Sequence, residues 1–354
     1  LGFAFGQLLK EGRPLLGAGS KKAERRALAV FYEQPWDSPL RQLSALASAR
    51  LKASAATNLM ALGLPEAALV QAMTSVSWFI SHGYYKDALQ LAGPLLSMLI
   101  TTGKLALAQD LMNELGSLGR EIMSNNIKPI IVGMIIGGII SFVAFLQGEK
   151  ELAQQAFVDS EAILQTAMVE SPLFPTLSSY YCAFLLENNQ IEQALLRSLQ
   201  TIAWREAGDW QTKVDAPSLE ASDLMALGFA YLRLGRLPDA EEIFERQLAI
   251  LAAAEEWLYL PAGLVARAQF YMAIGSHAAA KADLNEALSI AERSGAVLSR
   301  IDALLCFTRL QIAEGNRDYA QAYFVEAKLL SEQIHVVYYA EKIQSVEEEI
   351  GAMT

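Results

Sequence analysis

From about residue 46 onward, apolar side chains recur at i, i+3, i+4 and i+7. That is the period of a helix with one buried face, not the alternation of a half-buried strand. Between Ala240 and Ile250, for example, Ala240, Ile243, Phe244 and Leu248 fall on one face. A short phrase interrupts the pattern again and again: a Gly, four further residues, then an Ala that opens the next amphipathic stretch. It reads Gly63-Leu-Pro-Glu-Ala-Ala68, Gly83-Tyr-Tyr-Lys-Asp-Ala88 and Gly103-Lys-Leu-Ala-Leu-Ala108. It returns at Gly148 with Ala153, at Asn189 with Ala194, at Gly235 with Ala240, at Gly275 with Ala280 and at Gly315 with Ala320.

The phrase has a physical reading. A helix ends cleanly when one residue enters the left-handed region, which Gly does without steric cost and Asn next best. Pro65 and Pro238 stand where a following helix begins, a position that tolerates a missing N–H. The small Ala lets two antiparallel helices approach closely. From Gly148 onward the anchors lie 41, 46, 40 and 40 residues apart, and Gly63 to Gly103 is again 40 with Gly83 midway. Each unit is therefore two helices joined by short turns. The expectation is an all-α fold, an α-α superhelix of about seven to eight antiparallel hairpins with a period near 40 residues.

These residues carry a resemblance to the tetratricopeptide repeat. Around Gly235, Leu224, Leu227, Gly228 and Tyr231 take the positions of the first helix, and Ala240 and Phe244 those of the second. The next unit offers Leu264, Ala268, Tyr271, Ala280, Leu284 and Ala287; the following one offers Leu304, Ala320, Phe324 and Ala327. The unit at Gly148 keeps Ser141, Ala153, Phe157 and Ser160. The usual unit is about 34 residues, so this period is long. Longer units of that kind, together with the phrase from Leu288 to Gly295, resemble the sensor solenoids of STAND-type signalling ATPases and maltose-regulon-type transcription activators.

The ends read differently. Residues 1–45 are dense in Gly and Pro (Gly2, Gly6, Gly12, Pro14, Gly17, Gly19, Pro35, Pro39), the mark of a linker or broken helical lead-in. Residues 46–335 form the repeats. Residues 336–354, with Glu341, Glu347, Glu348 and Glu349, read as a polar capping helix. The uncharged run from Ile130 to Leu146 sits at the lower length limit for a membrane span. Gly138–Leu146 matches the first helix of a repeat, so the run reads as a buried helix.

Composition narrows the function. The 354 residues are 53% hydrophobic and 19% charged, enough to bury a large core, and the net charge is −11. Nucleic-acid binding needs a basic stripe, and the one basic cluster is Lys21, Lys22, Arg25 and Arg26. Cys182 and Cys306 are far apart in apolar pattern, which reads as buried thiols in a reducing, cytoplasmic setting. The chain opens on Leu1 rather than Met, without a basic n-region, and reads as a segment of a longer protein.

The sequence contains no Gly-x4-Gly-Lys-Ser/Thr phosphate loop and no Gly-x-Ser-x-Gly elbow. His82, His277 and His335 lie at turns or a helix end, without metal-ligand spacing. The pairs Glu241-Glu242 and Glu255-Glu256 read as solvent-facing helix surface. The expectation is thus a non-catalytic chain with no metal and no cofactor.

The family pattern implies which first-helix residues face the inner, concave side: Phe142, Phe145, Ser179, Glu187, Met225, Phe229, Leu232, Arg233, Val265, Gln269, Met272, Asp302, Leu305, Arg309 and Ile312. Phe142, Phe145, Ser179, Met225, Phe229, Arg233, Gln269, Met272 and Arg309 are the candidate ligand- or partner-binding set. An apolar inner face with sparse charge suits contact with another molecule. Arg233 and Arg309 would be its anchors for a carboxylate. The resemblance implies a sensor or partner-binding region of a signalling or regulatory protein. The alternatives are a stand-alone adaptor or the effector-binding part of a transcription regulator. The expected partner is a protein, a peptide or a small-molecule inducer, with neither nucleic acid nor membrane in direct contact.

Overall fold

The computed structural model describes residues 26, 28–34, 36, 38–39, 43–118, 137–167, 175–207 and 217–353. Among the described residues, fifteen α-helices follow a two-stranded hairpin, β1 (Tyr32–Gln34) and β2 (Ser38–Pro39). The helices fall into seven antiparallel hairpins and a closing helix. The hairpins are α1 (Ala45–Ala61) with α2 (Pro65–Ser81), α3 (Tyr85–Thr101) with α4 (Leu105–Ser117), and α5 (Gly138–Leu146) with α6 (Lys150–Ala167). Next come α7 (Pro175–Glu187) with α8 (Ile191–Ala207), and α9 (Pro217–Arg233) with α10 (Leu237–Ala253). The last are α11 (Leu260–Ala273) with α12 (His277–Ser294), and α13 (Val297–Ala313) with α14 (Arg317–Ile334); α15 (Val337–Gly351) stands alone at the end.

All eight anchor residues adopt left-handed backbone, with φ from 58° at Asn189 to 82° at Gly148. Each turn closes through the same two hydrogen bonds. At Gly235 its N–H donates to Leu232 O at 3.1 Å, and the next N–H, of Arg236, reaches back to Tyr231 O at 2.9 Å. These bonds satisfy carbonyls that a helix end would otherwise leave bare. The Ala that follows is fully buried in every case, from Ala68 to Ala320. Close approach is required elsewhere too. A Cβ at Gly228 would stand 2.6 Å from Phe244 Cε1, so α9 and α10 cross at a spacing only Gly permits.

The superhelix closes on itself. The Trp257 N–H, between α10 and α11, donates to Ala61 O at the end of α1 at 2.7 Å. Three turns of the first repeats rest on the last ones: a Cβ at Gly63 would meet Ser294, at Gly103 Ile334 and at Gly148 Val337, each within 2.8 Å. One buried cluster accordingly runs from Ala56 and Leu59 of α1 through Leu95, Ile139 and Leu304 to Tyr339 and Val346 of α15. Burial of each large side chain stabilises by roughly 1.5–3 kcal/mol, and here that burial joins the two ends of the array.

Gly138–Leu146 is α5, paired with α6 through Gly148, as the repeat pattern predicts. Residues 130–136, with Gly133, lie outside the described residues. Among the described residues no helix is long and apolar enough to cross a membrane. Most of the lead-in, including Lys21, Lys22, Arg25, Pro35 and the glycines up to Gly19, also lies outside them. Where a linker or broken helix is expected, Tyr32–Gln34 and Ser38–Pro39 pair antiparallel, with Tyr32 opposite Pro39. Leu28 and Tyr32 pack on Leu51 and Ala55 of α1, which gives the hairpin its support. A second correction concerns Glu255-Glu256. Glu255 takes φ 56° in the turn before α11, and Glu256 is buried there, its carbonyl accepting from the Leu260 N–H.

Candidate functional site

First helices of successive hairpins turn one face toward the superhelix axis and enclose a cavity of about 370 Å³. This volume falls within the usual range for a ligand pocket. The apolar wall comes from Phe142 and Phe145 of α5, Met225 and Phe229 of α9, Leu258 before α11 and Val265 on it. Phe142 stacks on Tyr180 at 4.5 Å between centroids, and Phe145 meets Tyr338 at 5.0 Å. Ser97, Ile100 and Thr101 of α3 bring in the first arm of the array. Tyr259 donates to Ser97 Oγ at 3.2 Å, tying that arm to α11 across the cavity.

The opposite end is charged. Glu187 ends α7, Asp302 lies on α13, and Lys342 comes from α15. The Lys342 ammonium stands 3.4 Å from Glu187 and 3.9 Å from Asp302, and 4.3 Å above the Tyr338 ring. Tyr338 donates to Glu187 at 2.6 Å, and the Tyr339 hydroxyl lies 3.0 Å from Asp302 Oδ2. Burial pushes Glu187 upward, but the Lys342 charge and the Tyr338 donor outweigh it, leaving the carboxyl below its ordinary value. At Asp302 burial wins over the pull of Lys342, and its pKa is raised. Burial also raises Tyr180, Tyr259, Tyr338 and Tyr339, so all four remain neutral donors.

Of the nine candidate residues, the cavity gathers Phe142, Phe145, Ser179, Met225, Phe229, Arg233 and Gln269. Glu187, Leu232, Val265 and Asp302 join them. Met272 and Arg309 do not line it. Met272 packs beside the cluster around Leu264 and Phe307, and Arg309 is held by Glu349 of α15 at 3.1 Å. Leu305 belongs to the main buried core, with Ile312 packed against it.

No protein-family model matches the sequence, and no curated protein matches it. Solved structures do. A Rap protein complexed with competence and sporulation factor is similar with a TM-score of 0.59 and 12% identity, over 83% of this chain and 80% of that one. The fold is a tetratricopeptide-type superhelix. Two further similar structures are a tetratricopeptide repeat protein from Parabacteroides merdae and a STAND protein with a tetratricopeptide sensor from Pyrococcus horikoshii. The first has a TM-score of 0.43 and 15% identity, covering 86% of this chain and 98% of that one. The second has 0.45 and 14%, covering 88% of this chain and 55% of that one.

Sequence reasoning misses Ser97, Tyr180, Tyr259, Tyr338, Tyr339 and Lys342 of the lining. A signal for the α15 group is present: Val337 follows Val297 by one 40-residue period, which makes α15 a first helix whose inner face continues the wall. The three histidines stand at separate helix ends. His82 stacks on Trp78 at 4.1 Å, His335 is the left-handed residue ending α14, and His277 is 4.0 Å from Glu314. Among the described residues no three His, Cys, Asp or Glu side chains gather as a metal site.

Proposed function

We propose that this superhelix is a binding protein that takes a short peptide in its central cavity, and that the bound peptide biases how tightly the two ends of the array close. The observation that carries this reading is the cavity itself, walled by aromatic and aliphatic side chains with charge at one end. The Rap protein, similar over most of its length, holds competence and sporulation factor; a regulatory, effector-bound role for this chain is in keeping with that. Closure supplies the coupling. Ser97 and Thr101 from one arm and Tyr259, Asp302 and Tyr338 from the other line the same space, so a ligand that fits it favours the closed seam.

The test is thermal unfolding of the wild type and of Met225→Trp, which puts a bulkier side chain into the cavity, in the presence of a random pool of short peptides. Ligands that bind only the folded chain raise its stability, by about 2.7 kcal/mol at a hundredfold excess over Kd. Stabilisation of the wild type and not of Met225→Trp is the expected result. No stabilisation, or equal stabilisation of both, overturns the reading.

A further inference from the structure

Taking the cavity as the ligand site proposed above, we infer that its ligand is a zwitterion: a short peptide whose terminal carboxylate lies against Arg233 and whose terminal ammonium lies against Asp302. Two unbalanced charges motivate this.

The first is Arg233. From Ala45 onward, every other described arginine is tied down. Arg50, Arg197, Arg205, Arg246, Arg267 and Arg300 each hold a carboxylate on a neighbouring helix. Arg236 holds Asp239, Arg309 holds Glu349, and Arg293 and Arg317 donate to backbone carbonyls. Among the described residues Arg233 alone of this set has no such partner, and it alone lines the cavity, with its side chain exposed. Its fork of donors suits a carboxylate.

The second lies inside. Glu187 and Asp302 share one ammonium, that of Lys342. Glu187 stands nearer to it and also accepts from Tyr338. Asp302 Oδ2 lies against the Tyr339 hydroxyl, while its Oδ1 has only Lys342, at 3.9 Å. One carboxylate is therefore half-neutralised within the cavity, and one cation at its rim has no close ion pair, only the longer-range attraction of Glu187, whose pKa it helps to lower. A ligand bearing only negative charge would face Asp302, and one bearing only positive charge would face Arg233. Each arrangement repels one end of the ligand. A zwitterion answers both, and Phe142, Met225 and Phe229 lie along the wall to take its apolar side chains.

The probe is a random pool of short peptides restricted to uncharged side chains and prepared in four forms: free termini, N-acetylated, C-amidated and doubly blocked. Binding is read by thermal shift and by mass analysis of retained peptides. The free form is expected to bind about tenfold or more tightly than either singly blocked form, as a lost charge-assisted contact implies. In Arg233→Gln the advantage of a free carboxylate should vanish while that of a free amine stays. In Asp302→Asn the reverse is expected. Both variants are first checked for a wild-type helical spectrum; should Asp302→Asn unfold, Arg233→Gln alone decides. Equal binding of all four forms, lost in Met225→Trp, overturns the zwitterion and leaves the cavity reading standing. No binding of any form overturns both.

Discussion

The Tyr338 hydroxyl donates a 2.6 Å hydrogen bond to Glu187, a residue 151 positions earlier in the chain. The bond ties the last helix to the middle of the array across the cavity, and Lys342 reinforces it from 3.4 Å. Together the two contacts hold the Glu187 carboxyl below its ordinary value against the opposing effect of burial. Tyr338→Phe keeps the ring against Phe145 and removes the donor. We expect a loss of about 1 kcal/mol at neutral pH, kept small because Glu187 is partly open to solvent. A depressed carboxylate contributes above its unfolded pKa and loses that contribution as pH falls through the folded value. The gap between the two proteins in urea denaturation should therefore hold from pH 7 down to about pH 5 and narrow below it, as pH falls past the unfolded glutamate value of about 4.3 toward the lower folded one. Equal midpoints at pH 7 would show that the bond contributes nothing.

The turn glycines separate local strain from closure of the superhelix. Gly275 and Gly103 have nearly the same backbone, φ 76° and 72°. A Cβ at Gly275 meets nothing within 4 Å, whereas at Gly103 it stands 2.7 Å from Ile334 Cγ2. Gly275→Ala should cost about 1 kcal/mol, the left-handed penalty alone. Gly103→Ala should cost roughly 1–3 kcal/mol more, because Ile334 must shift. Denaturant midpoints of the two variants decide it; matching losses would mean that the ends of the array do not press together.

Cys182 and Cys306 are both buried free thiols. Burial pushes Cys182 up to about 11 and Cys306 up to about 12. Only the thiolate reacts readily, so neither should titrate with a disulfide reagent at pH 8 in the native protein. Both should react fully in denaturant. Rapid labelling of the native chain would contradict the packing around α7 and α13.

The helical hairpins were legible because their determinants are local. Left-handed turns at Gly63 or Asn189 and a fully buried Ala five residues on follow from backbone sterics within one phrase. Most of the inner face was legible for the same reason, since Phe142, Phe229 and Gln269 each stand six residues before the turn glycine of their unit. Closure was not legible. Contacts such as Trp257 with Ala61 or Gly103 with Ile334 depend on the accumulated rotation of many repeats, which no single unit encodes. Arg309 was misplaced among the anchors because its partner Glu349 is on a helix read as a polar cap, although it lies one 40-residue period away.

Asp223 gives the sharpest pH dependence. It is 1% exposed on α9, accepts from Arg205 Nε at 2.8 Å, and leaves Oδ1 without a partner among the described residues. Burial pushes its pKa up to about 7, further than the Arg205 charge pulls it back. The unfolded value is about 3.9, so between these values the folded chain binds the extra proton. The contribution of this group is complete below the unfolded pKa and is lost as pH rises through 7. Asp223→Asn cannot ionise and should remove that slope. Between pH 5 and pH 8 the wild type should lose stability relative to Asp223→Asn by on the order of 2 kcal/mol, on top of any constant offset from the altered contact with Arg205. Denaturation midpoints across that range supply the comparison. Parallel curves for the two proteins would mean that Asp223 is already ionised at pH 5 and that Arg205 fully compensates its burial.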